Sequence, residues 1–481
     1  MATKFAGYPT ALIYDAPNGK AKKQLLWGDY VSLTGPAAGG WQPVKSRGVA
    51  GFMPETSLHE ERLLEIVFVD IGQGDGALVI TPDDRHVLVD AGEEDNMYRF
   101  LRWRYNRFQK PFTFEAAVIS HPDQDHYRGF APIFSDANVS FKNLIHNGIV
   151  ERKGPKSQSL GPKSGSYLTD VTTTMAELST LVGDPNVNDG KQYPKMLFAM
   201  LSSGRLADAR GVCVDDQHLP GFAPGESKCE IQILGPVRDK LNGKDALKWF
   251  GDVGLTKNGH SVALRLVYRN ISVMLGGDLN IPAEHHLLRS ATGYPMPPSE
   301  QDRTAIIEGA RQKFRSDVAK ACHHGSADFS DIFLQSIDAL ATVISSGDDE
   351  PHSHPRADAL GGVGRWSRGN RPLIFSTELA RSAPEAIKQP FVFRKQLDDA
   401  YAAFRAATTD AKREQFRKKI DELLAKIERS VAVYGAINLR SDGRSIVMAQ
   451  KVERPTRVDS QWDTYLIEPD AAGVLRYQSE H

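Results

Sequence analysis

Six consecutive residues, His121-Pro122-Asp123-Gln124-Asp125-His126, carry two imidazoles and two carboxylates directly after the apolar run AAVIS. Imidazole nitrogens and carboxylate oxygens are the donors that borderline divalent metals take, and a short loop at a strand end aims alternate side chains at two neighbouring ions. Such His-Asp pairs also occur as surface turns and helix N-caps, but four ligand-type side chains in six positions, with Gly129 following, favour a metal centre. The chemistry that fits is hydrolysis. Two divalent ions about 4 Å apart activate a water as nucleophile and stabilise the charge that grows on the electrophile's oxygen. No serine or cysteine has an evident partner base, so no covalent nucleophile is expected; Cys322 reads as a core residue beside His323, because neighbours on a strand point to opposite faces.

A loop that holds ligands rigidly must hang from packed sheets. LLEIVFVD, GALVITP, HVLVDAG and AAVISH, and later EIQILGP, SVALRLVY, ISVMLGGD, ATVISSG and PLIFST, are β-branched apolar runs bounded by Gly, Asp or Pro. Helical patterns at 96–108, 171–181 and 306–314 fall among them, which predicts an α+β domain of packed sheets covered by helices. Residues 1–60 read as a separate small β-barrel of short apolar runs and glycine-rich turns. Within it, GGWQPVKSRGVAGFMPETSL resembles the end of an SH3-like domain, which either docks a partner or packs against its neighbour. Residues 61–383 form the main domain, 384–428 an inserted helical hairpin, and 429–481 C-terminal strands that complete the main domain, plus a tail.

At 481 residues the chain exceeds what one core usually organises. A formal net charge of −1 supplies no global attraction to nucleic acid or membrane, so any such attraction is local. Two segments offer one: the loop 151–165, rich in Gly, Ser, Pro and Lys, and the stretch 99–110, RFLRWRYNRFQK, where aromatics interleave with arginines. The second also reads as a helix that buries its aromatics and exposes its arginines. Three widely spaced cysteines argue against a disulfide framework. No signal-peptide core and no run of 18 apolar residues is present, so a cytoplasmic protein without membrane spans is expected.

Taken in order, several segments resemble the metallo-β-lactamase superfamily, in the branch typified by the soluble domain of the DNA-uptake protein ComEC. VFVDIGQGDGALV is similar to that branch's opening strand and D-x-G-Q-G-D turn, and HVLVDAG to its following strand. SHPDQDHYRGF, NGHSVALRL, VMLGGDLNIPAEHHLL, VAKACHHGSADFS and VISSGDDEPHSHPRADAL follow in the branch's order, through most of residues 65–380. The resemblance implies an αββα sandwich carrying two divalent ions, Zn²⁺ or Mn²⁺, with Mn²⁺ a competitor because Asp123, Asp125 and Asp278 make the site oxygen-rich.

It also implies a ligand set. His121 and Asp123 would bind one metal, Asp125 and His126 the second, and Asp278 would bridge both; His323 would complete the second, with His324 as the alternative. The first metal's third ligand is a histidine in the wider superfamily, whereas the ComEC-like branch tends to have Asn; here Asn258-Gly259-His260-Ser261 offers His260, and His146 is the rival. Asp90 is expected to orient a ligating histidine. Asp70, Gln73 and Asp75 lie at strand ends nearby, and Asp75 either approaches the metals or shapes its turn. Ser326 and Ser346 offer hydrogen bonds to a substrate phosphate, unless Ser326 caps a helix. Asp125, Asp278 and His354 are the catalytic candidates, His354 as proton donor to the leaving oxygen, with His352 behind it. The implied activity is nucleic-acid cleavage by a partner-controlled nuclease, the partner held by the SH3-like domain or the hairpin, in defence or repair. Hydrolysis of an amide, thioester or small phosphorylated metabolite is one alternative, and an interaction protein with secondary or dormant hydrolase activity is another.

Overall fold

A computed structural model of the chain describes residues 2–155, 158–347, 353–377, 390–428 and 431–478. His352 and residues 384–389 of the expected hairpin lie outside the described residues. The fold is mixed α+β with several sheets. A ten-stranded sheet has the spatial order Leu206–Gly211, Val139–His146, Phe112–Val118, His86–Ala91, Gly76–Ile80, Leu64–Phe68, Ile437–Ser441, Ile446–Lys451, Trp462–Pro469 and Leu475–Gln478. A six-stranded sheet runs Glu230–Gly235, Ala263–Tyr268, Ile271–Leu275, Val318–Lys320, Ala341–Ile344 and Leu373–Ser376.

Side chains alternate across a strand, and here both faces are buried. Phe68, Val79 and Val89 of the larger sheet share one apolar cluster with Leu264, Val273 and Val343 of the smaller. Their neighbours Val67, Leu78 and Leu88 point the other way, onto Leu101, Phe130, Leu178 and Leu197 of helices. On the smaller sheet Ala263 and Met274 likewise meet Leu287, Ile306 and Phe333 of helices on the opposite side. Two-sided burial explains why the apolar runs in the sequence are continuous rather than alternating. The strands after residue 436 return to the first: Ile437–Ser441 pairs antiparallel with Leu64–Phe68.

Residues 3–59 form a seven-stranded, barrel-like sheet around Ala11, Ile13, Leu25, Val31, Val44 and Met53. Its Leu26 and Trp27 pack, with Leu63, on Val447 and Ala449 of the larger sheet. A chain of buried charges crosses the same boundary: Arg47 pairs with Asp29 at 2.7 Å, Asp29 with Arg440 at 3.4 Å, Arg440 with Glu65, and Glu65 with Arg104 at 2.6 Å.

Much of the basic, aromatic stretch 99–110 is buried, although Asn106, Gln109 and Lys110 are exposed. Phe100 and Phe108 are buried, and Arg99 pairs with Asp95 at 3.1 Å. Arg102 and Arg107 both hold Asp398, each at 2.5 Å, on the helix Pro390–Ala406. That helix and Asp410–Glu428 form a hairpin whose Phe393, Leu397, Tyr401, Ile420 and Leu423 close on one another and on Trp103. The stretch is therefore a joint between the main domain and the hairpin. Among the described residues no helix is long and apolar enough to cross a membrane.

Candidate metal centre

Strands Phe112–Val118, Ile271–Leu275 and Val318–Lys320 deliver their following loops to one end of the two sheets, the place where sheets with parallel strands gather ligands. After the first strand, Asp123 caps the short helix Gln124–Tyr127 by accepting from the Gln124 N–H at 2.9 Å. That turn carries Asp125 and His126. The glycine-rich segment 72–76 packs directly on it: the Asp75 N–H donates to the Asp125 carbonyl at 3.2 Å. Gly74 has φ +99°, and a Cβ there would come within 1.7 Å of the same carbonyl oxygen, so only glycine permits this approach. Asp278 follows the second strand, its N–H held by Ser261 Oγ at 2.9 Å. His323 and His324 follow the third, in the tight turn Cys322–Gly325.

Four donors converge. His126 Nε2 and His324 Nε2 face one another at 3.2 Å, and Asp278 Oδ2 lies 3.3 Å from the first and 3.1 Å from the second. Asp125 brings an oxygen to 3.4 Å from His324 Nε2 and the other to 3.8 Å from His126 Nε2. Ligands that sit about 2.0–2.1 Å from a tetrahedral ion are about 3.3 Å apart from one another, so the spacing fits one ion. Two imidazole nitrogens this close, with a carboxylate oxygen beside each, leave a place for a shared electrophile between them. Asp75 groups with His126, Asp278 and His324 within 4.8 Å, but on the far edge of the ring: its Oδ1 is 3.1 Å from His324 Nδ1.

Both rings are anchored from behind. His126 Nδ1 is 2.9 Å from Asp90, whose other oxygen accepts the Ser120 N–H at 2.8 Å. His324 Nδ1 is 3.2 Å from the Ser345 carbonyl. Each Nε2 is thereby presented to the centre. Burial works against charging His126 and His324, yet Asp278 and the surrounding carboxylates outweigh it and hold both well above the ordinary histidine range. Burial likewise opposes charge on Asp278, but His126 and His324 hold its carboxyl well below the usual range. A cation must displace these protons, so its binding strengthens as pH rises.

The remaining candidates fall elsewhere. His323 is a quarter exposed and only within 3.9 Å of Asp278, so of the adjacent pair it is His324 that sits among the donors. His323 and His324 both have positive φ, 48° and 53°, and strand alternation does not govern them. His260 stacks on Phe250 and places its Nε2 2.8 Å from the Lys248 carbonyl, which turns it to a different neighbourhood. His146 is buried with its Nδ1 accepting from the Gly148 N–H, and burial pushes its imidazole down to about 3. His121 is buried beside His126, its Nδ1 near Ser120 and Ser261 hydroxyls and its Nε2 without a hydrogen bond. Asp123 ion-pairs with Lys257 at 2.9 Å. Ser346 bonds to Ser376 on the adjacent strand, away from a substrate position. Asp70 shapes its own turn by accepting the Gly72 N–H.

A cavity of about 470 Å³ opens on the donors, lined by Gln73, Asp125, Asn258, Ser326, His354 and Arg356 among others. Asn258 is the residue of its segment that faces the cavity, with a buried Oδ1 that makes no hydrogen bond. The sequence expectation favours His260, with His146 as rival, whereas the ComEC-like branch it resembles tends to have asparagine in this segment. It also passed over Lys320, 5% exposed and ion-paired to Asp75; a lone lysine in the otherwise apolar strand Val318–Lys320 was the available signal.

On the helix Ile281–Thr292 after Asp278, Glu284 is 1% exposed and accepts the Ser330 N–H. Burial pushes its carboxyl up to about 8 from 4.5. The folded protein therefore keeps a proton that the unfolded chain releases, and stability falls as pH rises between those two values. Glu284→Gln keeps the acceptor and removes the titration. Its stability advantage over the parent is expected to grow by about 3 kcal/mol between pH 5 and pH 8 in denaturant unfolding; a pH-independent difference would refute the assignment.

Compared with known proteins, the chain matches no protein-family model and no curated protein.

Proposed function

We propose that this chain is a metal-dependent hydrolase with a metallo-β-lactamase-type αββα sandwich, and that it cleaves phosphodiester bonds as a nuclease. The observation that carries the reading is the mutual spacing of His126 Nε2, His324 Nε2, Asp278 Oδ2 and the Asp125 carboxylate, 3.1–3.8 Å wherever two of them are paired above. The layering of helix, sheet, sheet and helix supports it, as does the ordered resemblance to the ComEC-like branch. A divalent ion held by these four residues supplies Lewis-acid activation of water near neutral pH.

The chain's own groups supply the rest. Asp90 and the Ser345 carbonyl hold the two imidazoles in the orientation that presents Nε2. Arg356 and Ser326 line the same cavity and are suited to an anionic oxygen, the guanidinium by a paired donor fork. His354, whose ring centre is 6.1 Å from that of His324, is placed to give a proton to the leaving oxygen. An arginine in the cavity favours phosphate over a neutral amide.

The test is incubation with Mn²⁺ or Zn²⁺ and labelled single- and double-stranded DNA and RNA, beside the Asp125→Ala/His126→Ala double variant. Metal-dependent cleavage that disappears in the variant is expected. Turnover of a generic amide or thioester, with every nucleic acid left intact, would overturn the nuclease reading and keep the hydrolase.

A further inference from the structure

We infer that the centre takes one metal ion per chain, because lysines hold the carboxylates on which a second ion would depend; this rests on the metal-centre reading above. Five aspartates crowd the site: Asp75, Asp90, Asp123, Asp125 and Asp278. Of these, Asp125 and Asp278 present oxygens to the two Nε2 atoms. Asp90 is committed to His126 and the Ser120 N–H. Asp75 is ion-paired to Lys320, whose Nζ also donates to the Gly277 carbonyl at 3.2 Å and lies 3.7 Å from Asp278 Oδ1.

Asp123 is the carboxylate that a second ion would need beside His121. Its Oδ2 lies 2.9 Å from Lys257 Nζ, which is 3.4 Å from Glu151 as well and only 13% exposed. Lys257 sits in the last turn of the helix Val253–Gly259, whose start is fixed by the Asp252 carboxylate on the Leu255 N–H at 2.8 Å. The ammonium is thus built in from two sides. With His260 turned to Phe250, the donors left there are the neutral His121 Nε2 and Asn258 Oδ1, both without hydrogen bonds. A dication at that position would find Asp123 already ion-paired and would meet the fixed positive charge of Lys257. Like charges a few ångströms apart repel where solvent is partly excluded. Lys257 is then a positioning residue: it fixes Asp123, and Asp123 caps the turn that carries Asp125 and His126.

The test uses the full chain stripped by chelator and titrated with Zn²⁺, read by native mass spectrometry and elemental analysis. The parent is expected to hold one tight ion, and His324→Ala to lose it. Lys257→Met frees Asp123 to join His121 and Asn258, and is expected to raise the count to two. Asp123→Asn keeps the cap and is expected to leave the count at one, which carries the test should the lysine variant fail to fold. Two tight ions in the parent, falling to one in Asp123→Asn, would overturn the inference while the metal centre stands. A Lys257→Met protein that still binds one ion would overturn the role of Lys257. A parent that binds none sinks both readings.

Discussion

If the chain is the metal-dependent hydrolase proposed above, replacing His324 with alanine is expected to remove the metal and to lower hydrolysis by about 10³-fold, the scale on which loss of an electrostatic stabiliser in a closed site is felt. The same change at His323 is expected to leave the metal bound and cost about tenfold, the order of one lost net hydrogen bond. The difference follows from reach. His324 Nε2 is 3.2 Å from His126 Nε2 and 3.1 Å from Asp278 Oδ2, and its ring is 5% exposed. His323, at 3.9 Å from the same oxygen and a quarter exposed, lines the cavity beside Arg356 instead. Truncating His324 also strips Asp278 and Asp125 of a partner in a buried site, so metal content should fall together with rate. Zinc content and turnover measured on both variants decide the matter. A His323 variant that loses its metal while the His324 variant keeps it would mean that the turn Cys322–Gly325 is arranged the other way round.

That pair shows where sequence reading stops. The run VAKAC announces a strand, and the two histidines after it announce ligands, but the choice between them depends on two successive left-handed residues, φ 48° and 53°. The turn is fixed by tertiary contacts instead: Gly325 is packed against Pro355, and His324 Nδ1 faces the Ser345 carbonyl. None of these partners is near in the chain. His260 failed for a related reason. The motif was compatible with a ligand, yet the helix Val253–Gly259 stops just before it, and an aromatic face and a carbonyl claimed the ring.

The stretch 99–110 had the composition of a nucleic-acid track, and its acidic partners Glu65 and Asp398 could be found only by folding. What was legible was what local chemistry determines: two-sided apolar strands, the ligand-rich loop at a strand end, and Asp90 with a histidine to hold. The spacing of apolar residues along 384–428 likewise announced a helical hairpin, and its described helices, Pro390–Ala406 and Asp410–Glu428, close on each other.

The buried charges at the barrel boundary make Asp29 the residue whose loss should cost most stability away from the metal. Asp29 is 3% exposed and has three partners: the Leu26 N–H at 3.1 Å, Arg47 at 2.7 Å and Arg440 at 3.4 Å. Arg440, 1% exposed, is shared between Asp29 in the barrel and Glu65 in the main domain. Burial opposes the charge on Asp29, but Arg47 and Arg440 outweigh it and hold the carboxyl below its ordinary value of 3.8. The sign follows: the stabilisation is complete above the ordinary value and is lost as pH falls through the lowered one. Asp29→Ala leaves a buried guanidinium half-paired and a buried N–H without an acceptor, so a loss of about 3–5 kcal/mol is expected in denaturant unfolding at neutral pH. Asp29→Asn keeps an oxygen for the Leu26 N–H and loses only the charge, so its cost should be the smaller of the two. The asparagine variant should approach the parent's stability at strongly acidic pH, where the parent's own carboxyl is protonated, while the alanine deficit narrows but keeps the cost of the unpaired Leu26 N–H. An alanine variant within about 1 kcal/mol of the parent at neutral pH would show that the apolar contact of Leu26 and Trp27 with Val447 and Ala449 alone holds the barrel in place.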